Sequence, residues 1–393
     1  MTTTPLTAAV LTPVGRGAVA TIRVVGNLSQ LDDAAVPLFR AANGKSLSQQ
    51  ELRRIAFGRW GRENAEEIVV SRLSDETLEL HCHGGDAAVR RIMDDLQRAG
   101  CAVVSWQSQM IARGESLDAE CVDALSRATT WRTAEILLEQ SNGLLHTAFQ
   151  HLAPPLSPSP QFIGVQAETL SRLNAILVWA DFGRHLTRPW SVVLTGRPNV
   201  GKSSLINRLL GYERAIVFDQ PGTTRDVVTG ETAFDGWPVL LADTAGLRDA
   251  TDELEAAGIA LSRVRLATSD LSIVLIDLGE PPTDDDERLL AEWPDAIVVA
   301  HKCDLPDRWL NHRPAGSLRV SSNTGEGIDE LQRRLVERLV PNIPPPGTAI
   351  PISARQVELL RAARAAMAAG DEVAFHVSVG SLLNFAESAA RQT

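Results

Sequence analysis

The strongest chemical pattern in the sequence is the segment Gly196–Ser204, which reads GRPNVGKSS. The apolar run Trp190–Thr195 precedes it, and a helical pattern begins at Leu205. This is the spacing G-x-x-x-x-G-K-S between a strand and a helix, where backbone N–H groups and the helix N-terminus surround phosphates. Lys202 is predicted to reach the β- and γ-phosphates of a nucleotide, and Ser203 to ligate Mg²⁺. The strand and helix on either side argue against a chance glycine-rich turn.

Two further elements follow in the order that a GTPase requires. The apolar run Val239–Ala242 is followed by Asp243, whose carboxylate is predicted to hold Mg²⁺ through water. The N–H of Gly246 is then placed to detect the γ-phosphate. Between the two motifs, the loop Gly222–Asp226 places Thr224 where it can close over Mg²⁺ and the γ-phosphate as an order–disorder switch. Together these elements favour a GTPase over a generic ATPase.

The choice of base is predicted to depend on His301, Lys302 and Asp304, which follow the apolar run Val298–Ala300. A carboxylate such as that of Asp304 accepts two N–H bonds from the Watson–Crick edge of guanine, whereas adenine lacks the second donor. The usual element is Asn-Lys-x-Asp, and here histidine replaces asparagine. Neutral imidazole offers one donor and one acceptor, which predicts partial substitution and a reduced guanine affinity. The last loop that contacts the base is predicted to contain Ser321, Ser322 and Asn323.

Composition restricts the remaining possibilities. The chain has 393 residues, of which 44% are hydrophobic and 22% are charged, as in soluble globular proteins of two or three domains. No run of about 18 apolar residues and no secretory pattern is present, so we expect a cytoplasmic protein without membrane contact. The four scattered cysteines indicate reduced thiols and no zinc site. The net charge of −11 excludes a bulk positive field, so an RNA would need a local patch or a partner protein.

The elements that must position these residues predict a multidomain fold. Residues 1–115 alternate strand and turn patterns around one helix over Ala87–Ala99, which indicates an α+β domain. Residues 117–150 have the apolar spacing of one long helix, and 163–186 and 353–390 are helical again. The strand–helix alternation in between predicts an inserted α/β P-loop domain of the Ras-like type. The predicted boundaries are 1–115 for the N-terminal domain, 116–188 and 341–393 for the two parts of a discontinuous helical domain, and 189–340 for the GTPase domain.

Several segments resemble the tRNA-modification GTPase family called MnmE or TrmE, and the resemblance covers most of the chain. Its signatures are similar to the segments Thr12–Gly17, Ile22–Val24, Leu78–Gly85, Gly222–Asp226 and Asp243–Arg248. The resemblance implies an N-terminal domain that dimerises and binds a tetrahydrofolate derivative. It also implies GTPase domains that pair across K⁺, and a flavoprotein partner, MnmG, with which the wobble uridine of certain tRNAs is modified.

The resemblance also assigns individual residues. Leu247 stands where small GTPases such as Ras have a water-orienting glutamine, and in the family a monovalent cation replaces the arginine finger. The water-positioning acid corresponds to Glu255, which without the resemblance is better interpreted as a solvated helix charge. The folate contacts correspond to Arg23 and Glu79, and the K⁺ ligands to Asn199, Thr223 and the backbone carbonyls of Phe218 and Gln220.

These assignments complete the predicted site. Its catalytic residues are Lys202, Thr224 and Glu255, and its Mg²⁺ ligands are Ser203, Thr224 and, through water, Asp243. The predicted GTP-binding residues are Asn199, Val200, Gly201, Lys202, Ser203, Ser204, Phe218, Thr223, Thr224, Asp243, Thr244, Ala245, Gly246, His301, Lys302, Asp304, Ser321, Ser322 and Asn323.

Some features depart from the family pattern. Ser116 occupies the position of a folate-contacting lysine, the segment Ala389–Thr393 lacks the family's tail cysteine, and His301 replaces the usual asparagine. Two alternatives therefore stay open. One is a divergent GTP-binding switch or scaffold that does not modify tRNA; the other is a ribosome-assembly GTPase resembling Era or Der, against which the lack of a KH-type GxxG segment counts. Either a phosphate or partner contact or a solvated surface position is expected for Arg197, Arg225 and Arg248.

Overall fold

The computed structural model describes residues 5–13, 15, 17–32, 38–61, 65–152, 162–212, 229–243 and 269–383. These residues combine α-helices with two β-sheets and divide into two compact units. The first unit contains those of 1–120 and 380–393, and the second contains those of 121–379. Within the ranges described, no helix is both long enough and apolar enough to cross a membrane.

The first unit is built on a seven-stranded sheet. Its strands are β1 (Thr7–Val10), β2 (Val19–Val25), β3 (Phe39–Ala41), β4 (Ile55–Trp60), β5 (Glu66–Ser74), β6 (Thr77–His83) and β7 (Ala102–Val103). Their spatial order is β3-β4-β5-β6-β2-β1-β7, and only β1 and β7 run parallel to each other. Exposed and buried side chains alternate along β4, so one face of the sheet carries the core and the other meets solvent.

Short helices complete the first unit. They are α1 (Ser29–Asp32), α2 (Asp86–Arg98), α3 (Trp106–Ala112) and α4 (Ser116–Ser126), of which α4 continues into the second unit. Ile92 and Leu96 of α2 are fully buried in one cluster with strand residues such as Ile22 and Leu80. The helix predicted over Ala87–Ala99 is therefore confirmed, and Gly100 follows its end with a φ of +94°, a conformation that favours glycine.

The second unit contains a six-stranded sheet. Its strands are β8 (Trp190–Gly196), β9 (Thr229–Phe234), β10 (Trp237–Asp243), β11 (Leu271–Asp277), β12 (Ile297–His301) and β13 (Leu318–Val320). Their order is β13-β12-β11-β8-β10-β9, and all are parallel except β9. Buried parallel strands read as continuous apolar runs, which is why β8 and β10 could be recognised. Their carboxyl ends share one edge, where ligands bind in open α/β sheets.

Helices accompany this sheet and continue on both sides of it in the sequence. They are α5 (Trp131–Glu139), α6 (Leu145–Gln150), α7 (Phe162–Leu177), α8 (Ala180–His185), α9 (Lys202–Tyr212), α10 (Asp284–Glu292), α11 (Ile328–Leu339), α12 (Ala354–Ala369) and α13 (Glu372–Leu383). Leu205 and Leu209 of α9 are buried in the same cluster as Leu331 and Leu335 of α11 and the strand side chains. These two helices thus close the core of the parallel sheet.

The single long helix predicted over 117–150 is wrong. The Thr130 side chain accepts a bond from the N–H of Thr133 and starts α5 as a new helix after α4. A π-helical turn then separates α5 from α6, and Gly143 within it has a φ of +102°. The predicted helical region 163–186 is confirmed and contains two helices, α7 and α8. Apolar spacing persists across each break because the same side is buried, so the period alone does not show where a helix ends.

An aromatic cluster lies where α5 and α8 meet the amino ends of the strands. Trp190 and Trp237 begin β8 and β10 and pack edge to face at 5.6 Å, with the Phe182 ring of α8 against both. The Arg132 guanidinium of α5 lies 4.4 Å from the centroid of the Trp237 ring. The helices are therefore anchored at the edge of the sheet opposite to the carboxyl ends of the strands.

Candidate nucleotide-binding site

The predicted phosphate-binding segment lies between β8 and α9, at the carboxyl edge of the second sheet. Gly196 has a φ of +152°, and a Cβ there would come within 2.7 Å of the Leu275 carbonyl oxygen, so the turn requires glycine. Lys202 is buried, and its ammonium donates to the carbonyl oxygens of Gly196 and Arg197, both at 2.9 Å. Backbone carbonyl groups therefore hold the lysine inside the loop that is predicted to surround phosphates.

Two of the three predicted Mg²⁺ ligands, Ser203 and Asp243, lie together beside this loop. Ser203 is the second residue of α9, and its Oγ donates to Oδ2 of Asp243 at 2.7 Å. Asp243 is the last residue of β10 and is buried. A hydroxyl and a carboxylate are oxygen donors of the kind that Mg²⁺ prefers, so the residues present fit this ion.

The predicted base-contacting residues form the other end of the same edge. The exposed Asp304 carboxylate accepts a bond from the Ser321 hydroxyl at 2.6 Å and one from the Asn323 amide at 3.4 Å. The hydrogen bond from Ser321 is the main cause that holds the pKa of Asp304 below its usual range. Asp304 is thus kept as an ionised acceptor at the surface, which suits the N–H donors of guanine.

His301 joins the two ends of the site. Its Nδ1 lies 2.8 Å from the Val200 carbonyl oxygen, and because a carbonyl only accepts, Nδ1 carries the proton. In the neutral ring Nε2 then accepts the bond from the Ser322 hydroxyl at 2.7 Å. The ring packs directly on Gly201, where a Cβ would come within 2.5 Å of its Cε1. Both nitrogens are used within the protein, so the ring bridges the two loops and offers neither nitrogen to a base.

The burial of His301 also affects its charge. Burial is the largest cause that lowers the pKa of the imidazole, and the nearby Lys302 ammonium acts in the same direction. The Val200 carbonyl and the carboxylates of Asp277 and Asp304 oppose this effect. The neutral ring that the two hydrogen bonds require is therefore the favoured form.

Lys302 ties the base loop to the phosphate loop in a second way. Its backbone has a φ of +60°, and its ammonium donates to the Asn199 carbonyl at 3.0 Å and to Asp277 Oδ2 at 2.6 Å. Asp277 is the last residue of β11 and was missed by the sequence-based prediction. An acid at the end of an apolar strand, as at Asp243, is the signal that could have found it.

Arg197 does not have the solvated surface position that was one of the two expectations for it. Its side chain is largely buried, and its Nε donates to Oδ1 of Asp286 at 2.8 Å. Asp286 lies in the first turn of α10 and is almost fully buried. Arg197 therefore forms a largely buried ion pair, and its expected contact with a phosphate or a partner stays a prediction. No sequence pattern pointed to this pair, because its members lie far apart in the chain.

The predicted folate contacts lie on the face of the first sheet opposite its apolar core, where the Arg23 and Glu79 side chains are only 25% and 15% exposed. Arg23 and Glu79 are direct neighbours on β2 and β6, with Nε and one terminal nitrogen of the guanidinium 3.1 and 2.8 Å from Oε1 of Glu79. The neighbouring pair on the same face of these strands, Thr21 and His81, is also hydrogen-bonded, at 3.0 Å. Ser116, at the start of α4, is fully buried. The two matched residues are therefore adjacent, whereas the hydroxyl that replaces the family lysine is not exposed.

Other predicted residues complete the description. The side chains of Asn199 and Ser204 are exposed, and Val200 is buried. The roles of several residues stay predictions because these residues lie outside the described part of the chain: Phe218, Gln220, Thr223, Thr224, Thr244, Ala245, Gly246 and Glu255. The same holds for Arg225, Leu247, Arg248 and the segment 389–393.

The sequence is similar to those of known GTPases. Residues 191–302 match the family described as "50S ribosome-binding GTPase". The tRNA modification GTPase MnmE of Geobacillus kaustophilus (strain HTA426) is 32% identical over 376 residues, which are 84% of this chain and 81% of the relative. The chain belongs to the MnmE family. MnmE of Prochlorococcus marinus (strain MIT 9313) is 31% identical over 430 residues, 94% of this chain and 88% of its own length.

Membership of the MnmE family and the match to a GTPase family together identify a GTP-hydrolysing enzyme that binds GTP and Mg²⁺. Among solved structures, the G domain of the T. maritima FeoB iron transporter is 29% identical. The matched region covers 38% of this chain and 99% of the FeoB G domain, with a TM-score of 0.30.

Proposed function

We propose that the carboxyl edge of the second sheet binds Mg²⁺ and GTP, with the guanine at Asp304 and the phosphates at Lys202 and Ser203. The observation that carries the proposal is the bridge of His301 and Lys302 between the two loops. It joins an anion-binding loop to an exposed carboxylate within one rigid edge. The two carboxylate oxygens match the two N–H donors on the Watson–Crick edge of guanine.

Hydrolysis is proposed to depend on K⁺ and on the pairing of two GTPase domains. Asn199, Thr223 and the carbonyls of Phe218 and Gln220 would hold the cation, and Glu255 would position the water. GTP hydrolysis by the purified protein in KCl and in NaCl tests this proposal, with Glu255→Ala beside Glu253→Ala as the neighbouring control. We expect strong stimulation by K⁺ in the wild type and in the control, and its loss in Glu255→Ala. Little hydrolysis in either salt would favour a GTP-binding scaffold.

The chain is further proposed to modify the wobble uridine of tRNA as a homodimer, with an MnmG-like flavoprotein and a tetrahydrofolate derivative. The support is the family of the chain and the adjacency of Arg23 and Glu79 on the sheet face opposite the apolar core. The test is the modification state of tRNA from a cytoplasmic extract of a deletion strain, complemented with wild-type or Lys202→Ala protein. We expect only the wild type to restore the modification. Fully modified tRNA in the deletion strain would reject this proposal and leave the GTPase intact.

The domain arrangement proposed for this activity is that of an inserted GTPase domain. All six strands of the second sheet lie between Trp190 and Val320, which supports a continuous GTPase domain over 189–340. The helical segments 116–188 and 341–393 would form one discontinuous domain after the N-terminal domain, 1–115. Contact of the α7 helix with α12, through the bond from the Gln166 amide to the Met367 carbonyl at 2.7 Å, supports the joining of the two helical parts.

A second candidate function is a GTP-dependent switch or scaffold without folate chemistry. The observation that favours it is the full burial of Ser116, because a hydroxyl inside the protein cannot replace a ligand-contacting lysine. Equilibrium dialysis with tetrahydrofolate separates the two candidates. Saturable binding that is lost in Arg23→Ala supports the modification enzyme, and no binding together with normal tRNA supports the switch.

A further inference from the structure

The phosphate loop has an anchor that lies outside its own motif. Oδ1 of Asp286 accepts the bond from Arg197 Nε at 2.8 Å. Oδ2 of the same carboxylate accepts bonds from the N–H and the hydroxyl of Thr283, at 3.0 and 2.8 Å. Both oxygens of this buried acid are therefore hydrogen-bonded, and the N-terminus of α10 adds a favourable partial charge. Such a carboxylate is a fixed point to which the loop is attached.

The anchored residue also holds the lysine of the motif. The Arg197 carbonyl accepts a bond from the Lys202 ammonium at 2.9 Å, beside the bond from the same ammonium to Gly196. The side chain of Arg197 is thus fixed by Asp286 while its backbone orients Lys202. A path of direct contacts runs from Thr283 through the acid and the arginine to the ammonium.

We propose that Asp286 is a positioning residue for GTP hydrolysis, which fixes Arg197 and thereby aims the Lys202 ammonium at the β- and γ-phosphates. This inference rests on the proposed role of Lys202 in the phosphate site. Asp286 holds the planar guanidinium of Arg197 side-on through Nε. A lysine does not reproduce this geometry. Glu280, 3.5 Å from the guanidinium but largely exposed, is too weakly held to take the place of the buried acid.

Loss of the contact between Asp286 and Arg197 is expected to lower the rate of GTP hydrolysis more than the affinity for nucleotide. Many backbone N–H groups bind the phosphates in the ground state, so GDP and GTP retain most of their contacts when one ammonium shifts slightly. The charge that develops in the transition state requires a preorganised cation, and a small misplacement reduces its stabilisation. A residue that only held the fold together would lower stability and leave the rate of the folded enzyme unchanged.

The experiment measures single-turnover GTP hydrolysis in KCl, with enzyme in saturating excess over GTP, together with GDP affinity and the thermal midpoint, for Asp286→Asn and Arg197→Lys. The matched control is Arg288→Ala, which breaks an exposed ion pair with Asp285 on the same helix. We expect the hydrolysis rate to fall about tenfold in both anchor variants, with GDP affinity within about threefold of the wild type. The control is expected to match the wild type in both measurements.

Two results would overturn the inference. One is a wild-type rate in both anchor variants, and the other is an equal loss of rate and affinity that follows the fall in thermal midpoint. If Asp286→Asn does not fold, Arg197→Lys decides the outcome, because it leaves a cation beside the buried carboxylate. The variant Lys202→Ala distinguishes a failure of this inference from a failure of the proposed phosphate site. Hydrolysis that survives in Lys202→Ala would reject the phosphate site itself, whereas loss there beside normal anchor variants would reject only the role of Asp286.

Discussion

The two sheets carry their candidate functional residues in different places. In the parallel sheet these residues stand at the carboxyl ends of strands: Asp243 ends β10 and contacts the first turn of α9, and His301 ends β12 and contacts two loops. In the antiparallel sheet the candidates Arg23 and Glu79 stand in mid-strand on a flat face. The first arrangement joins residues of separate segments at one edge of the sheet, and the second pairs them with each other across neighbouring strands.

This difference predicts how each region responds to a ligand. At the parallel edge, the exposed carboxylate of Asp304 is oriented by Ser321 and can accept further bonds without losing those it has. At the antiparallel face, a ligand has to compete with an ion pair that is already formed. Changes at the edge are therefore expected to have large effects on nucleotide binding, and changes at the face are expected to have small ones.

The largest effect is expected for Asp304→Asn. The amide presents N–H groups where guanine also presents donors, so GDP affinity should fall about 100-fold or more. Xanthine has a carbonyl in place of the guanine amino group and should bind the variant better than the wild type. Titration of fluorescent GDP and XDP measures both changes, and Asp307→Asn, an acid on the same loop that is not part of the proposed site, is the control. Unchanged GDP affinity in Asp304→Asn would show that guanine is not recognised at this carboxylate.

The next largest effect is expected for His301, which bridges the phosphate loop and the base loop. His301→Ala removes both bonds and leaves the buried Val200 carbonyl without its donor, so we expect GDP affinity to fall about tenfold. Asparagine offers one amide donor and one acceptor, and His301→Asn should remain within about threefold of the wild type. Ser322→Ala removes only the second bond and is expected between the two. An alanine variant that binds GDP as the wild type does would show that the bridge is dispensable.

A smaller effect is expected from pH. Burial lowers the pKa of His301 from the ordinary value of 6.5, so the unfolded chain takes up this proton more readily than the folded one. The stability due to the neutral ring is therefore complete above pH 6.5 and decreases as the pH falls towards the lowered pKa. Protonated Nε2 also cannot accept from Ser322, and the added charge lies near the Lys302 ammonium as well as the carboxylates of Asp277 and Asp304.

Comparison with His301→Asn isolates this effect, since asparagine does not titrate. The free energy of unfolding and GDP affinity are measured between pH 8 and pH 5.5, a range chosen to span the ordinary histidine pKa. The wild type should lose more of both than the variant as the pH decreases. Parallel losses in the two proteins would assign the pH dependence to other groups.

The sequence predicted the parts of the edge whose residues lie together in the chain. The phosphate loop and Asp243 follow apolar strands directly, so a strand and its terminal residue could be identified as one pattern. The sequence predicts that His301 replaces the usual asparagine as a weakened base contact, whereas the structure shows it bound to the two loops. Its bonds to Val200 and Ser322 depend on how β12 and the loops meet, which only the tertiary structure provides.

The sequence did not predict two kinds of feature. One is contacts between residues that are distant in the chain, and the other is local breaks in the helical apolar pattern. The ion pair of Arg197 with Asp286 and that of Lys302 with Asp277 join different strands and helices, and no spacing rule connects them. The breaks in the helical region 117–150 arise from a cap at Thr130 and from positive φ in a π-turn. These local choices compete with an apolar pattern that continues through them.

The smallest effect is expected for Glu79→Gln on the antiparallel face. Its ion pair with Arg23 is partly shielded from solvent, so its loss should lower the free energy of unfolding by about 1 kcal/mol or less. GTP hydrolysis should not change. Glu67→Gln is the matched control, because its pair with Arg59 on the same sheet is well exposed and should contribute almost nothing. Denaturant unfolding measures the change in stability, and tetrahydrofolate dialysis measures folate binding. Only Glu79→Gln should weaken folate binding. If both variants behave equally in both assays, the pair of Glu79 with Arg23 is an ordinary surface contact. The folate hypothesis would then have no support from this face of the sheet.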